Sequence, residues 1–162
     1  MKEYGSLLAD DQDYAAKAIQ FAGKVRDVSE WLDELGWIAP LKASSAEPVT
    51  MTYHDACHLA HGQQIREAPR VLLSRLPNVR WAALAESEVC CGSAGIYNLT
   101  EPEMACRLRE RKLENILATG ASVVATGNPG CLAWIAAGLK ERGLPEIRVA
   151  HPVTLLAEAL DS

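Results

Sequence analysis

Five cysteines mark this sequence, and two of them, Cys90 and Cys91, are neighbours followed directly by Gly92. Thirty-two residues separate Cys57 from that pair, and thirty-nine lie between the pair and Cys131. A cysteine taken alone is usually a small buried apolar side chain, but four thiols drawn from three distant segments have no obvious packing purpose. A zinc ion or a multi-iron cluster needs soft sulfur donors converging from several directions. Vicinal cysteines are poor disulfide partners, because a ring closed between adjacent residues departs from normal bridge geometry, whereas their side chains fan readily toward different metal atoms. Thiol–disulfide exchange is the weaker alternative, since the sequence contains no Cys-x-x-Cys. The run Gly92-Ser93-Ala94-Gly95 allows the backbone to approach a cofactor and turn N–H groups toward sulfur; a tight turn alone would explain it equally well.

The elements that must position these thiols can be read from periodicity. Tyr14, Ala18, Phe21, Val25, Val28, Leu32 and Leu35 recur at steps of four and three, which predicts one long amphipathic helix whose stripe packs into a core. Asp10, Asp11 and Asp13 suit its start and Gly36 its stop. Residues 42–48, rich in serine and charge, read as a linker, dividing a helical segment over 1–41 from a domain over 49–162. Beyond it, short apolar runs alternate with helical stretches, the pattern of an α/β fold with a parallel sheet flanked by helices. Strands are expected at Val49–His54, Val79–Ala83, where Trp81 and the following alanines also allow a helix, Ser122–Thr126 and Ile147–Ala150. Helices are expected at Ile65–Leu76, from Thr100 to about Thr119, at Leu132–Glu141 and at Val153–Leu160. Thr100 and Glu103 suggest a capping box around Pro102. Ligands of such sheets sit at the carboxyl ends of strands. Cys57 follows the first strand by three residues and Cys131 follows Thr126 by five, so the cysteines can meet at one rim.

Composition narrows the function classes. With 162 residues, 49% hydrophobic and 23% charged, the chain can bury roughly two thirds of its unfolded surface as one domain without a metal to hold it together. A net charge of −5 without a basic stripe disfavours nucleic acid as a partner. No stretch approaches the length of a transmembrane helix and the first residues lack an apolar signal region. A reducing cytoplasm is therefore the expected location, and an odd number of cysteines there favours metal or redox chemistry over a disulfide framework.

The order cysteine, Cys-Cys-Gly, cysteine resembles the CCG, or cysteine-rich, domain of heterodisulfide reductases and their relatives. It is most similar to the C-terminal part of glycolate oxidase iron–sulfur subunits. The matching words are Lys2-Glu3-Tyr4-Gly5, His54-Asp55-Ala56-Cys57-His58-Leu59, His61-Gly62-Gln63, Cys90-Cys91-Gly92-Ser93-Ala94-Gly95 and Gly127-Asn128-Pro129-Gly130-Cys131-Leu132. The resemblance implies a Rossmann-like α/β domain in which Cys57, Cys90, Cys91 and Cys131 bind an iron–sulfur cluster, of the [4Fe–4S] class; a structural zinc ion held by the same four thiolates is the competing reading of the residues themselves. It implies electron transfer within a complex that oxidises glycolate or a similar 2-hydroxy acid, with flavoprotein subunits as partners and the inner membrane as a peripheral location. Where the five-cysteine pattern of that family places the first member of its last pair, this chain has Asn128. An amide is a weak ligand for iron, and Asn128 is expected to shape the turn instead. The two ferredoxin-type motifs of the complete family subunit do not occur here, so the chain resembles the distal part of a longer subunit. A metal-free interaction domain that docks flavoprotein subunits is a further alternative.

Other residues carry simpler expectations. His54, His58 and His61 surround Cys57 in sequence and could supply nitrogen ligands or a proton relay, but hydrogen bonding at the sheet edge is the more economical reading. Asp55 is expected to cap the turn beside Cys57, and Cys106 to lie in the core. The run Arg107, Arg109, Glu110, Arg111, Lys112 and Glu114 reads as a solvated helix face or a docking surface. Trp31, Trp37, Trp81 and Trp134 are too scattered to form a base-stacking platform.

Overall fold

The computed structural model describes residues 1–36 and 47–161, so residues 42–46 of the expected linker lie outside the described residues. Four strands, β1 (Val49–His54), β2 (Val79–Trp81), β3 (Val123–Thr126) and β4 (Arg148–Ala150), form a sheet in the order β2-β1-β3-β4. The α-helices, in chain order, are α1 (Tyr4–Leu7), α2 (Ala15–Lys24), α3 (Val28–Glu34), α4 (Glu67–Leu73), α5 (Tyr97–Thr100), α6 (Pro102–Ala118), α7 (Pro129–Glu141) and α8 (Pro152–Asp161). Every strand pairing is parallel, with Met51 opposite both Trp81 and Val123 and Val124 opposite Val149. β-branched and apolar residues fill the central β3, as a strand covered on both faces requires.

The period of two along each strand sorts its residues between two cores. Met51, Tyr53, Ala125 and Ala150 pack with Leu73 of α4 and Leu155 of α8. Val124 packs on the opposite face with Leu113 and Ile116 of α6 and Ile135 and Leu139 of α7. Thr52 and His54, out of phase with Met51 and Tyr53, are directed to this second face and are fully buried. A five-residue π-helical turn over His58–Gly62 follows β1, and the short α5 precedes α6.

The N-terminal helical stripe departs from expectation in two ways. It is divided into α2 and α3, because Val25 and Asp27 are extended and Asp27 forms a capping box with Glu30. Its apolar residues are also largely exposed: Ala18 is buried, but Tyr14, Phe21 and Leu35 are not. Helix α1 packs on α2 and stacks Tyr4 on Phe21 at 5.8 Å, while α3 packs on α4 and α8 of the sheet domain.

Two charged residues of the expected solvated face of α6 are instead buried. Arg109 stacks over Trp134 at 4.4 Å and pairs with Glu141, and the Lys112 ammonium donates to the carbonyl of Glu86. Arg107, Arg111 and Glu114 do face solvent. The Thr100 capping box does not form: the Thr100 hydroxyl sits against the Tyr97 carbonyl and α6 starts at Pro102 without a side-chain cap. Cys106 is half-buried rather than in the core, since its neighbour Ala105 takes the inward position.

Candidate metal centre

β1 runs to β2 on one side and β3 runs to β4 on the other, so the connections diverge between β1 and β3. The crevice beyond the carboxyl ends of two such strands is where open parallel sheets bind ligands. Cys57 sits there at the head of the π-helical turn. Cys131 sits there in the first turn of α7, whose start is fixed by Asn128: its side-chain oxygen accepts from the N–H groups of Gly130 at 2.9 Å and Cys131 at 3.2 Å. Asn128 therefore shapes the turn, as expected, and its oxygen is committed to that cap.

The third contributor is the loop 86–95, which reaches the crevice from the opposite side. β1 and α6 both grip it. Ser87 accepts from the Asp55 N–H at 3.1 Å and lies 3.0 Å from Nδ1 of His54, while Arg111, Lys112 and Asn115 of α6 all bind Glu86. Gly92 lies against α6 at a positive φ of 94°, and a Cβ there would run into the Ala105 carbonyl. Only glycine allows the chain to pass the helix this closely in this conformation, which turns Cys90 and Cys91 into the crevice.

The four sulfurs form a continuous series of contacts: Cys57 with Cys90, Cys90 with Cys91, and Cys91 with Cys131. All five cysteines are free thiols. Cys91 and Cys131 are buried and Cys57 and Cys90 half-buried, so the series runs from the interior to the rim. A cleft of about 300 Å³ opens beside it, lined in part by Cys57, Gly95, Asn128 and Cys131. The Gly92 N–H donates to Cys90 Sγ at 3.3 Å, and Cys91 accepts from the backbone of Ser93.

Electrostatics oppose ionising the series without a counter-cation. Hydrogen bonding to Cys91, then burial, raises the Cys90 thiol far above its usual value. Contact with Cys131 is the foremost cause that holds Cys91 up at about 11, and burial followed by the Cys90 charge raises Cys57. A multivalent cation at the crevice would remove this penalty, because it is the thiolate that ligates metal. Soft donors from three segments, two backbone N–H groups on sulfur and an adjoining cleft thus fit a thiolate-bound inorganic centre.

The three histidines separate sharply. His58 and His61 are exposed, against Gln63 and the Glu88 carbonyl respectively. His54 is wholly buried, and a ring nitrogen of His54 lies within 4.8 Å of the sulfurs of both Cys91 and Cys131. Burial, then the nearby Lys112 charge, pushes its pKa down to about 4, so the ring is neutral at pH 7. Asp55 does not cap the turn; its buried carboxylate takes both terminal nitrogens of Arg70, each at 2.6 Å. Sequence reasoning also missed Lys112, hidden within a charged run; its one signal was a position in phase with the inward-facing Ala105 and Arg109.

Comparison with known proteins agrees with this picture. The chain is 35% identical to the "Probable glycolate oxidase iron-sulfur subunit" of Bacillus subtilis, covering 98% of this chain and 36% of that protein. It is 32% identical to the glycolate oxidase iron-sulfur subunit of Escherichia coli, over 99% of this chain and 37% of that one. Against lactate utilization protein A of Shouchella clausii the identity is 31%, over 99% and 64%. The chain thus spans between about a third and two thirds of the length of these relatives. The sequence model of the CCG cysteine-rich domain matches residues 51–136, a span that holds most of β1, all of β2 and β3 and all four crevice cysteines, and the chain belongs to that family.

Proposed function

We propose that this chain is an electron-transfer iron–sulfur domain of a multi-subunit oxidoreductase acting on glycolate, lactate or a similar 2-hydroxy acid. In this reading Cys57, Cys90, Cys91 and Cys131 ligate the cluster, which is of the [4Fe–4S] class, and flavoprotein subunits carry out the substrate oxidation. The observation that carries it is the unbroken series of four thiols at the sheet's switch point. The names of the glycolate oxidase and lactate utilization relatives supply the reaction class.

A centre of this class supplies one-electron redox chemistry when bound. The chain's own residues would set its environment. The N–H groups of Gly92 and Ser93 donate to sulfur, the Lys112 ammonium places a buried positive charge nearby, and burial of Cys91 and Cys131 excludes water from the inner side. Half-exposed Cys57 and Cys90 mark the rim through which a partner would exchange electrons. Among the described residues no helix is long and apolar enough to cross a membrane; a peripheral membrane location through partner subunits belongs to the same proposal.

Anaerobically purified chain is expected to contain iron and acid-labile sulfide in comparable amounts and to lose both in the Cys90→Ser/Cys91→Ser variant. Stoichiometric zinc without sulfide would replace this reading with a structural zinc module. Absence of any metal, with partner binding and stability unchanged in the double variant, would leave an interaction domain.

A further inference from the structure

At the paired ends of β1 and β3, His54 and Thr126 are both fully buried, and each keeps one polar atom without a partner among the described residues. Of the two, only His54 offers a nitrogen donor. The alternation of β1 sends it to the face shared with α6 and α7, and it is fully buried there. Its Nδ1 lies 3.0 Å from the Ser87 carbonyl. A carbonyl oxygen only accepts, so Nδ1 carries the ring proton and Nε2 presents a bare lone pair. That Nε2 has no hydrogen-bond partner among the described residues, although a ring nitrogen lies within 4.8 Å of the sulfurs of Cys91 and Cys131. Neither thiol is therefore satisfying it. A neutral imidazole fixed through one nitrogen to a backbone carbonyl, with the other nitrogen bare, is the arrangement in which histidine binds metal. Asn128 is no rival donor, because its oxygen is used at the start of α7.

We propose that Nε2 of His54 is a ligand to the same metal ion that Cys91 and Cys131 hold. The inference rests on the iron–sulfur reading and adds a nitrogen donor to its thiolates. On metal binding each thiol releases a proton while the imidazole, already unprotonated at Nε2, releases none.

The test uses the full chain with ¹⁵N-histidine, loaded anaerobically with ferrous iron and sulfide, reduced and examined by pulsed EPR. A strong ¹⁵N coupling is expected. It should persist in the His58→Ala/His61→Ala/His151→Asn variant, where His54 is the sole remaining histidine, and vanish in His54→Ala. Chelator should strip iron from His54→Ala at least about tenfold faster. Should the chain take zinc instead, X-ray absorption at the zinc edge should find a nitrogen at about 2.0–2.1 Å beside sulfurs at about 2.3 Å. Iron and sulfide bound without histidine coupling, or a sulfur-only zinc shell, overturns this inference and leaves the metal centre standing. A wild-type chain that takes up neither metal overturns the proposed function and this inference with it. If His54→Ala does not fold, the triple variant decides alone, since any coupling it shows can come only from His54.

Discussion

Asp55, one residue beyond β1, is buried while its partner Arg70 remains partly in solvent, so the pair divides its cost unevenly. Burial raises the carboxyl's pKa, but the hydrogen bonds from Arg70 and Ser87 and the Arg70 charge outweigh it and leave the group below its ordinary value. A carboxylate depressed in the folded state stabilises the fold above its unfolded pKa, and that contribution fades as pH falls through the folded value. Asp55→Asn should therefore lower stability by about 1 kcal/mol at neutral pH, a figure discounted for the solvation of Arg70. The difference from wild type should shrink toward zero as urea unfolding is followed below about pH 4. A gap that stays constant on acidification would mean that the charge pair contributes nothing. At this scale the cysteines were legible because residue type and spacing alone announce soft donors. The three histidines were not separable by type, since what distinguishes His54 is burial and the loss of one partner, both properties of the third dimension. The alternation of β1 held the clue, because Thr52 and His54 share a phase opposite to Met51 and Tyr53.

The strands and helices of the sheet domain followed from hydrophobic period, and β1 has the boundaries expected of it. Period failed where a local hydrogen bond competed with it. The Asp27–Glu30 capping box ended one helix and began another inside an unbroken apolar stripe, and a lysine in a charged run turned inward to meet a loop carbonyl. That inward turn makes α6 more than a cover for the sheet: it clamps Glu86 through Arg111, Lys112 and Asn115 and abuts Gly92 at Ala105. The helix thus fixes both ends of the segment that carries Cys90 and Cys91. Lys112→Met keeps the stem's volume and removes the ammonium, leaving the Glu86 carbonyl without that donor at a cost of about 1–2 kcal/mol. In the iron-loaded chain, loss of a nearby positive charge disfavours the added electron. The midpoint potential should fall by on the order of tens of millivolts, measured by EPR-monitored redox titration. An unchanged or higher potential would show that Lys112 acts on the loop alone.

Across the whole molecule, the cores on the two faces of the sheet are built mainly from apolar side chains of the strands and of α4, α6, α7 and α8. Leu72, Leu73, Leu113, Ile116, Val124, Ile135 and Leu139 are all but fully buried among other apolar side chains, and of the four crevice thiols only Cys91 and Cys131 join these cores. A structural zinc domain of small size behaves otherwise, since the ion supplies its folding free energy outright. Here the inorganic centre should act as a ligand of an already folded chain, stabilising it by mass action in proportion to its affinity. Removal of the metal by chelator under reducing conditions should leave the far-ultraviolet circular dichroism of the helices intact while lowering the melting temperature. Hydrogen exchange should quicken mainly over residues 55–62, 86–95 and 127–131, the three segments that converge on the crevice, and stay slow in β1, β3 and α7 beyond its first turn. If the helical signal collapses together with the metal, the cores are too weak to stand alone and the thiols hold the fold as well as the centre.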